Sequence, residues 1–148
     1  MHLLNLVAIL TLGTMIGVEF AVSAFINPTL GKLGDAAETE ATSLFAQLLG
    51  RVMPFWYAFC LLLLLAESLL HRQTPGFTLL MAASAIWVAV IAATLLWLVP
   101  INNRIARMPS GGYSSELRSL HRRWDWLHRG RVLLLAVALV CLLLALPV

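Results

Sequence analysis

Four long runs of apolar residues dominate this chain: Leu3–Ile26, Val52–Leu70, Phe77–Pro100 and Val132–Val148. Each is close to the roughly 17–25 residues that a helix needs to cross a bilayer. Inside hydrocarbon every backbone amide must find its partner within the chain, so such runs fold as helices. With 61% hydrophobic and only 11% charged residues, the expected architecture is all-α, an integral membrane four-helix bundle. One domain over residues 1–148 is expected, with helices at about 3–27, 43–71, 77–100 and 120–147. The first run has no basic segment before it and carries Glu19, so it reads as a retained span and not as a cleaved signal. Cys60 and Cys141 lie in apolar runs without a CxxC spacing and read as small hydrophobes.

The connections alternate. Pro28–Thr42 is acidic and helix-compatible after Gly34, His71–Gly76 is a tight turn, and Ile101–Leu120 is long, broken by Pro109, Gly111 and Gly112. Lys32, Arg51, Arg104, Arg107, Arg118, Arg122, Arg123, Arg129 and Arg131 fall on the side of the two longer connections, against Arg72 alone on the other. The positive-inside bias then predicts long connections in the cytoplasm and both termini outside, in a bacterial inner membrane. For Arg107 and Arg118 a membrane-surface role accounts for the charge. No nucleic-acid partner is expected; the expected partners are the membrane and a hydrophobic small molecule or lipid, and a homo-oligomer is compatible with the sequence.

Polar side chains inside the runs are few. Glu19 lies about 24 Å along the first helix at about 1.5 Å per residue, still within a core of roughly 30 Å. A carboxylate at that depth costs about 2.5–3.5 kcal/mol, so it stays protonated or finds a partner. Thr11, Met15, Glu19, Ser23 and Asn27 recur every fourth residue as one slowly turning stripe. Gly13 and Gly17 form a GxxxG pair read as simple helix packing. The most polar and aromatic stretch, His121–Arg131, leads into the last run, and Trp124, His128 and Arg131 share one helical face. Arg131 and His128 match Glu19 in depth, so Glu19, Asn27, Arg51, Asn102, Asn103, Trp124, His128 and Arg131 are expected to gather at one end of the bundle. The bland alternative for Glu19 and Arg131 is a structural ion pair. Arg51 is as well explained by headgroup phosphates, and a single asparagine at a helix end by capping. Pro54 implies a kink or a helix start. His2 and His71 read as solvated end residues, Glu67 as snorkelling or locally paired, and His121 as interfacial.

Asn27-Pro28 closes the first helix, Pro100-Ile101-Asn102-Asn103 the third, and Trp124-x-x-x-His128-x-x-Arg131 opens the fourth. This combination resembles the anthrone oxygenase-like family of small four-span membrane proteins, many of them known only as a domain of unknown function. The resemblance covers nearly the whole chain. It implies oxidation of a flat hydrophobic phenol or ketone with O2, without an organic cofactor. In that reading His128 is the first choice of general base and Glu19 the second. Arg131 and Arg51 stabilise the developing anion, while Asn27, Asn102 and Asn103 meet carbonyl or hydroxyl groups. Trp124, with Trp97 or Trp87, offers a ring for stacking, although each Trp taken singly reads first as an interface anchor or core filler.

Other classes fit less well. A haem bundle needs histidines facing each other across helices, and His71 sits at the opposite end from His128. A metal site has no HxH or HxxxE spacing behind it. A small multidrug-type exporter would share four spans and a Glu in the first helix, but its polar residues would line a two-sided path. A non-catalytic lipid-binding or partner subunit would use the arginines for headgroups.

Overall fold

The computed structural model describes residues 2–106 and 115–146. Arg107, Pro109, Gly111 and Gly112 lie outside the described residues, as do the side chains of His2 and Arg118. The protein is all-helical, and among the described residues four helices are long and apolar enough to cross a membrane: α1 (Leu3–Leu30), α2 (Asp35–Leu70), α3 (Phe77–Ile105) and α4 (Ser119–Ala145). Length and composition together make this an integral membrane protein. Successive helices pack side by side and α4 returns against α1, closing a ring, with the most extensive packing between α3 and α4.

The acidic connection is shorter than its composition implies. After a four-residue break, α2 already begins at Asp35, where Asp35 and Glu38 face the positive end of the helix dipole. Pro54 lies inside α2, which runs unbroken through it. At the other end, His71 closes α2 and the chain turns through Thr74 to Phe77. Gly76 lies directly against the backbone carbonyl of Ala145, where a Cβ would overlap it. Only glycine permits that approach of the turn to α4.

Two π-helical turns shape the opposite half of the bundle. One spans Val22–Ile26 and the other Thr94–Leu98, and each ends two residues before a proline, Pro28 and Pro100. A proline lacks the amide hydrogen, and its ring crowds the carbonyl four residues back. Widening the preceding turn moves that carbonyl aside. The amides of Asn27 and Val99 reach Val22 and Thr94, five residues back. Each π turn also absorbs one residue of helical phase. In a regular helix Asn27 would sit about 80° round from Glu19, whereas losing one step leaves about 20°. The same arithmetic moves Asn102 from about 80° to about 20° off the face of Thr94, while Asn103, opposite that face in a regular helix, still lies about 80° from it.

The core is apolar and continuous through the half near the tight turn, built on Leu12, Met15, Leu64, Leu80, Leu135 and Leu142. Cys60 belongs to it as a fully buried residue. Two expectations fail here. His71 is buried, not solvated: its Nδ1 lies 3.2 Å from Glu67 Oε2, and Glu67 is itself fully buried, so the pair is internal and does not snorkel. A carboxylate one turn ahead of an imidazole neutralises part of its own burial cost. Ser68 and Ser84 join this polar cluster across α2 and α3. Second, Gly13 and Gly17 pack against no other helix of the chain, since a Cβ on either meets nothing within 4 Å. Trp97 is exposed and Trp87 is a core residue whose indole donates to the Tyr57 carbonyl at 3.1 Å, in keeping with the anchor and filler readings, and neither lines the cavity.

Candidate active site

A cavity of about 320 Å³ opens in the half of the bundle that holds the π turns. That volume suits a small planar molecule. Its walls are mostly apolar, supplied by all four helices, and its polar residues gather at the floor and at the outer end.

Arg131 organises the floor. Its Nη2 donates to Glu19 Oε2 at 2.6 Å and to Nδ1 of His128 at 2.8 Å, while Nη1 donates to Thr94 Oγ1 at 3.4 Å. The other carboxylate oxygen of Glu19 accepts from the Tyr57 hydroxyl at 2.9 Å. The guanidinium also lies over the Tyr57 ring, 5.7 Å from its centroid. Glu19 therefore has a partner on each oxygen, which is what makes a carboxylate tolerable at this depth.

The partners fix the tautomer of His128. Nε2 lies 3.1 Å from the backbone carbonyl of Glu19, and a carbonyl can only accept, so Nε2 carries the proton. Nδ1 faces a guanidinium, which can only donate, so Nδ1 presents its lone pair. The ring is 1% exposed and stacks on Trp124, with centroids 4.5 Å apart and planes 16° from parallel. One face of Trp124 is thereby taken by His128, which corrects the expectation of a free plate for substrate on that side.

Asn27 lies towards the outer end, donating to Asp125 Oδ1 at 2.7 Å, with His121 Nε2 3.9 Å from Oδ2. His121 lines the cavity and is not merely interfacial. Three buried polar atoms of the lining have no hydrogen-bond partner: Thr42 Oγ1, Trp124 Nε1 and Arg131 Nε.

Of the residues singled out from sequence, Glu19, Asn27, Asn102, Trp124, His128 and Arg131 come together around this one space. Arg51 and Asn103 do not: both are exposed and neither lines it. Arg51 falls on the outer face of α2, and Asn103, one residue beyond Asn102, lies about 80° off the Thr94 face. Tyr57, Thr94 and Asp125 were not anticipated. Asp125 had a signal, lying four residues after His121 and three before His128. Tyr57 and Thr94 had none beyond being hydroxyl-bearing residues in apolar runs.

Fold and site together define a class: a small four-span membrane protein with a closed Arg–Glu–His–Tyr network under an apolar chamber. The family model described as anthrone oxygenase matches residues 44–141, well over half of the chain, and the protein belongs to that family. The matched region holds Tyr57, Thr94, Trp124, His128 and Arg131, while Glu19 and Asn27 are contributed from α1, ahead of it. No curated protein and no solved structure matches the chain.

Proposed function

We propose that this protein is an oxygenase acting on a flat, hydrophobic phenol or ketone of the anthrone type, with the cavity floor as its reaction centre. The observation that carries this reading is the Arg131 guanidinium, shared between the Nδ1 lone pair of His128 and the Glu19 carboxylate at the base of an apolar chamber.

The chemistry needs a base for one benzylic C–H and a cation for the oxygen that becomes an anion. A substrate oxygen arriving at the floor competes for the Arg131 hydrogens. His128 Nδ1, released from Arg131, takes the benzylic proton. The new Nδ1–H then has Glu19 Oε2, 3.3 Å away, as its acceptor. The bond from Nε2 to the Glu19 carbonyl holds the ring in register throughout. In this reading Glu19, with both oxygens engaged, is the anchor and not the base. The electron pair left on carbon delocalises into the ring system towards the oxygen that Arg131 faces. One electron passes to O2, and the radical pair joins to form the C–O bond. Protonation gives a hydroperoxide. Loss of water breaks the O–O bond and the second C–H bond, leaving a ketone, so one O2 yields one new carbonyl and one water. No organic cofactor enters this sequence. Asn27 and Asn102 are assigned to substrate oxygens further out.

The lysine and arginine bias supports placing the cavity end at the cytoplasmic face of a bacterial inner membrane. A transporter using Glu19 is less well supported, because the cavity ends at the Glu19 level and packed apolar core follows.

The test uses the purified protein in liposomes with anthrone near neutral pH, following O2 uptake and anthraquinone absorbance above the uncatalysed rate. Conversion that falls to background in His128→Ala supports the reading. No conversion by a protein that still binds anthraquinone sinks it.

A further inference from the structure

The side wall of the cavity is incomplete. α2 packs against α3 on both sides of the π turn, through Phe77–Ala93 and through Val99–Ala106, yet stands off from Thr94–Leu98 between them. Beside the bulkier Phe45, Leu49 and Met53, one row of α2 residues lining the cavity is small and regularly spaced: Ala46, Gly50, Pro54 and Ala58, each one turn from the next. All four line the cavity, and the last three are also exposed on the outside of the bundle. Across the gap Leu95 does the same, lining the cavity while 61% exposed. On the α1 side, by contrast, every lining residue is buried or half-buried. Pro54, Ala58 and Leu95 lie within the apolar runs of α2 and α3, so what they face outside is hydrocarbon.

We infer that this gap between α2 and the π turn of α3 is a lateral window, through which a planar apolar molecule dissolved in the bilayer passes directly into the cavity. Small side chains along one edge leave the slot unfilled. On the opposite edge Leu95 stands on the π turn as its one bulky side chain. The slot has no polar lining to strip water from, so the molecule that uses it is already in the membrane. This inference rests on reading the cavity as a substrate site, but it concerns the route and not the reaction.

The experiment measures exchange of anthraquinone between liposomes and the protein by stopped-flow quenching of tryptophan fluorescence. Gly50→Phe fills the slot, and since a Cβ at Gly50 meets nothing within 4 Å the substitution leaves the fold in place. Gly17→Phe, equally open but on α1 away from the cavity, is the control. The expected result is that Gly50→Phe slows both association and dissociation by about tenfold or more while their ratio moves far less. Leu95→Ala speeds both, and Gly17→Phe changes neither. A general disturbance of the fold would not move the first two variants in opposite directions. Unchanged exchange in Gly50→Phe, slowing only in Thr42→Phe at the polar end, or no binding to the wild type overturns the window. Slowed exchange in a protein that never oxidises anthrone keeps the window and removes the oxygenase reading.

Discussion

His128 touches Glu19 twice, through Nε2 on the backbone carbonyl at 3.1 Å and through Nδ1 beside the carboxylate at 3.3 Å. One residue of α1 thus sets both the tautomer of the imidazole and the acceptor its next proton would find. Removing the ring removes a base and leaves the Arg131–Glu19 pair standing. His128→Ala is expected to lower kcat for anthrone by about 10²–10⁴, the usual contribution of a positioned general base. Anthraquinone affinity should change by much less. Steady-state O2 uptake and a binding titration on the same preparation check both, and equal losses in the two would point to a collapsed cavity instead.

The Glu19–Arg131 pair is 3% and 12% exposed, and its worth shows when it is broken from one side. Arg131→Met leaves the carboxylate with the Tyr57 hydroxyl as its side-chain donor, and one-sided loss of a buried ion-pair partner costs about 3–5 kcal/mol. Glu19→Gln together with Arg131→Met removes both charges, so the double variant should be more stable than Arg131→Met alone. Thermal unfolding in one detergent measures this. Strict additivity would mean that the two charges do not interact.

How far the sequence could be read follows from which forces set each feature. The four spans are legible because hydropathy over about twenty residues decides them. The meeting of Glu19, His128 and Arg131 is legible because depth follows from residue count at a fixed rise. What depth cannot give is rotation. Asn102 and Asn103 share a depth, yet one lines the cavity and the other is exposed. Asn102 owes its place to a π turn whose cause, Pro100, was visible but whose effect on phase was not, and Asn103 is off that face with or without it. Arg51 fails for the same reason, at the right depth on the wrong face. His71 was misjudged for another: an end-of-helix position implies solvent only if no neighbour covers it, and at 1% exposed the ring is covered. The GxxxG reading of Gly13 and Gly17 took a local pattern for a contact that no helix of this chain supplies.

Gly76 provides a test of the fold away from the chemistry. A Cβ at this position would overlap the Ala145 carbonyl, which as backbone cannot swing aside as a side chain can. Gly76→Ala is therefore expected to destabilise by about 1–3 kcal/mol through overpacking, by pushing the tight turn off α4. Unfolding in denaturant would show it. Unaltered stability would mean that the turn and α4 are less closely apposed than described.

The phase of α3 makes the sharpest distinction between neighbours. Asn102 lines the cavity and Asn103 is exposed beside it, although the two share side-chain chemistry and differ in depth by about 1.5 Å. If Asn102 hydrogen-bonds a ligand oxygen, Asn102→Ala should lose about 0.5–1.5 kcal/mol of anthraquinone affinity, and Asn103→Ala nothing measurable. Pro100→Ala adds an independent arm. With the amide restored and the ring gone, the reason for the widened turn disappears. A regular helix there would rotate Asn102 out of the cavity. Pro100→Ala should then weaken binding about as much as Asn102→Ala, and the two changes combined should cost little more than either alone. Equal effects of Asn102→Ala and Asn103→Ala would refute the placement of the two side chains, and unchanged binding in Pro100→Ala would refute the account of how the prolines shape this site.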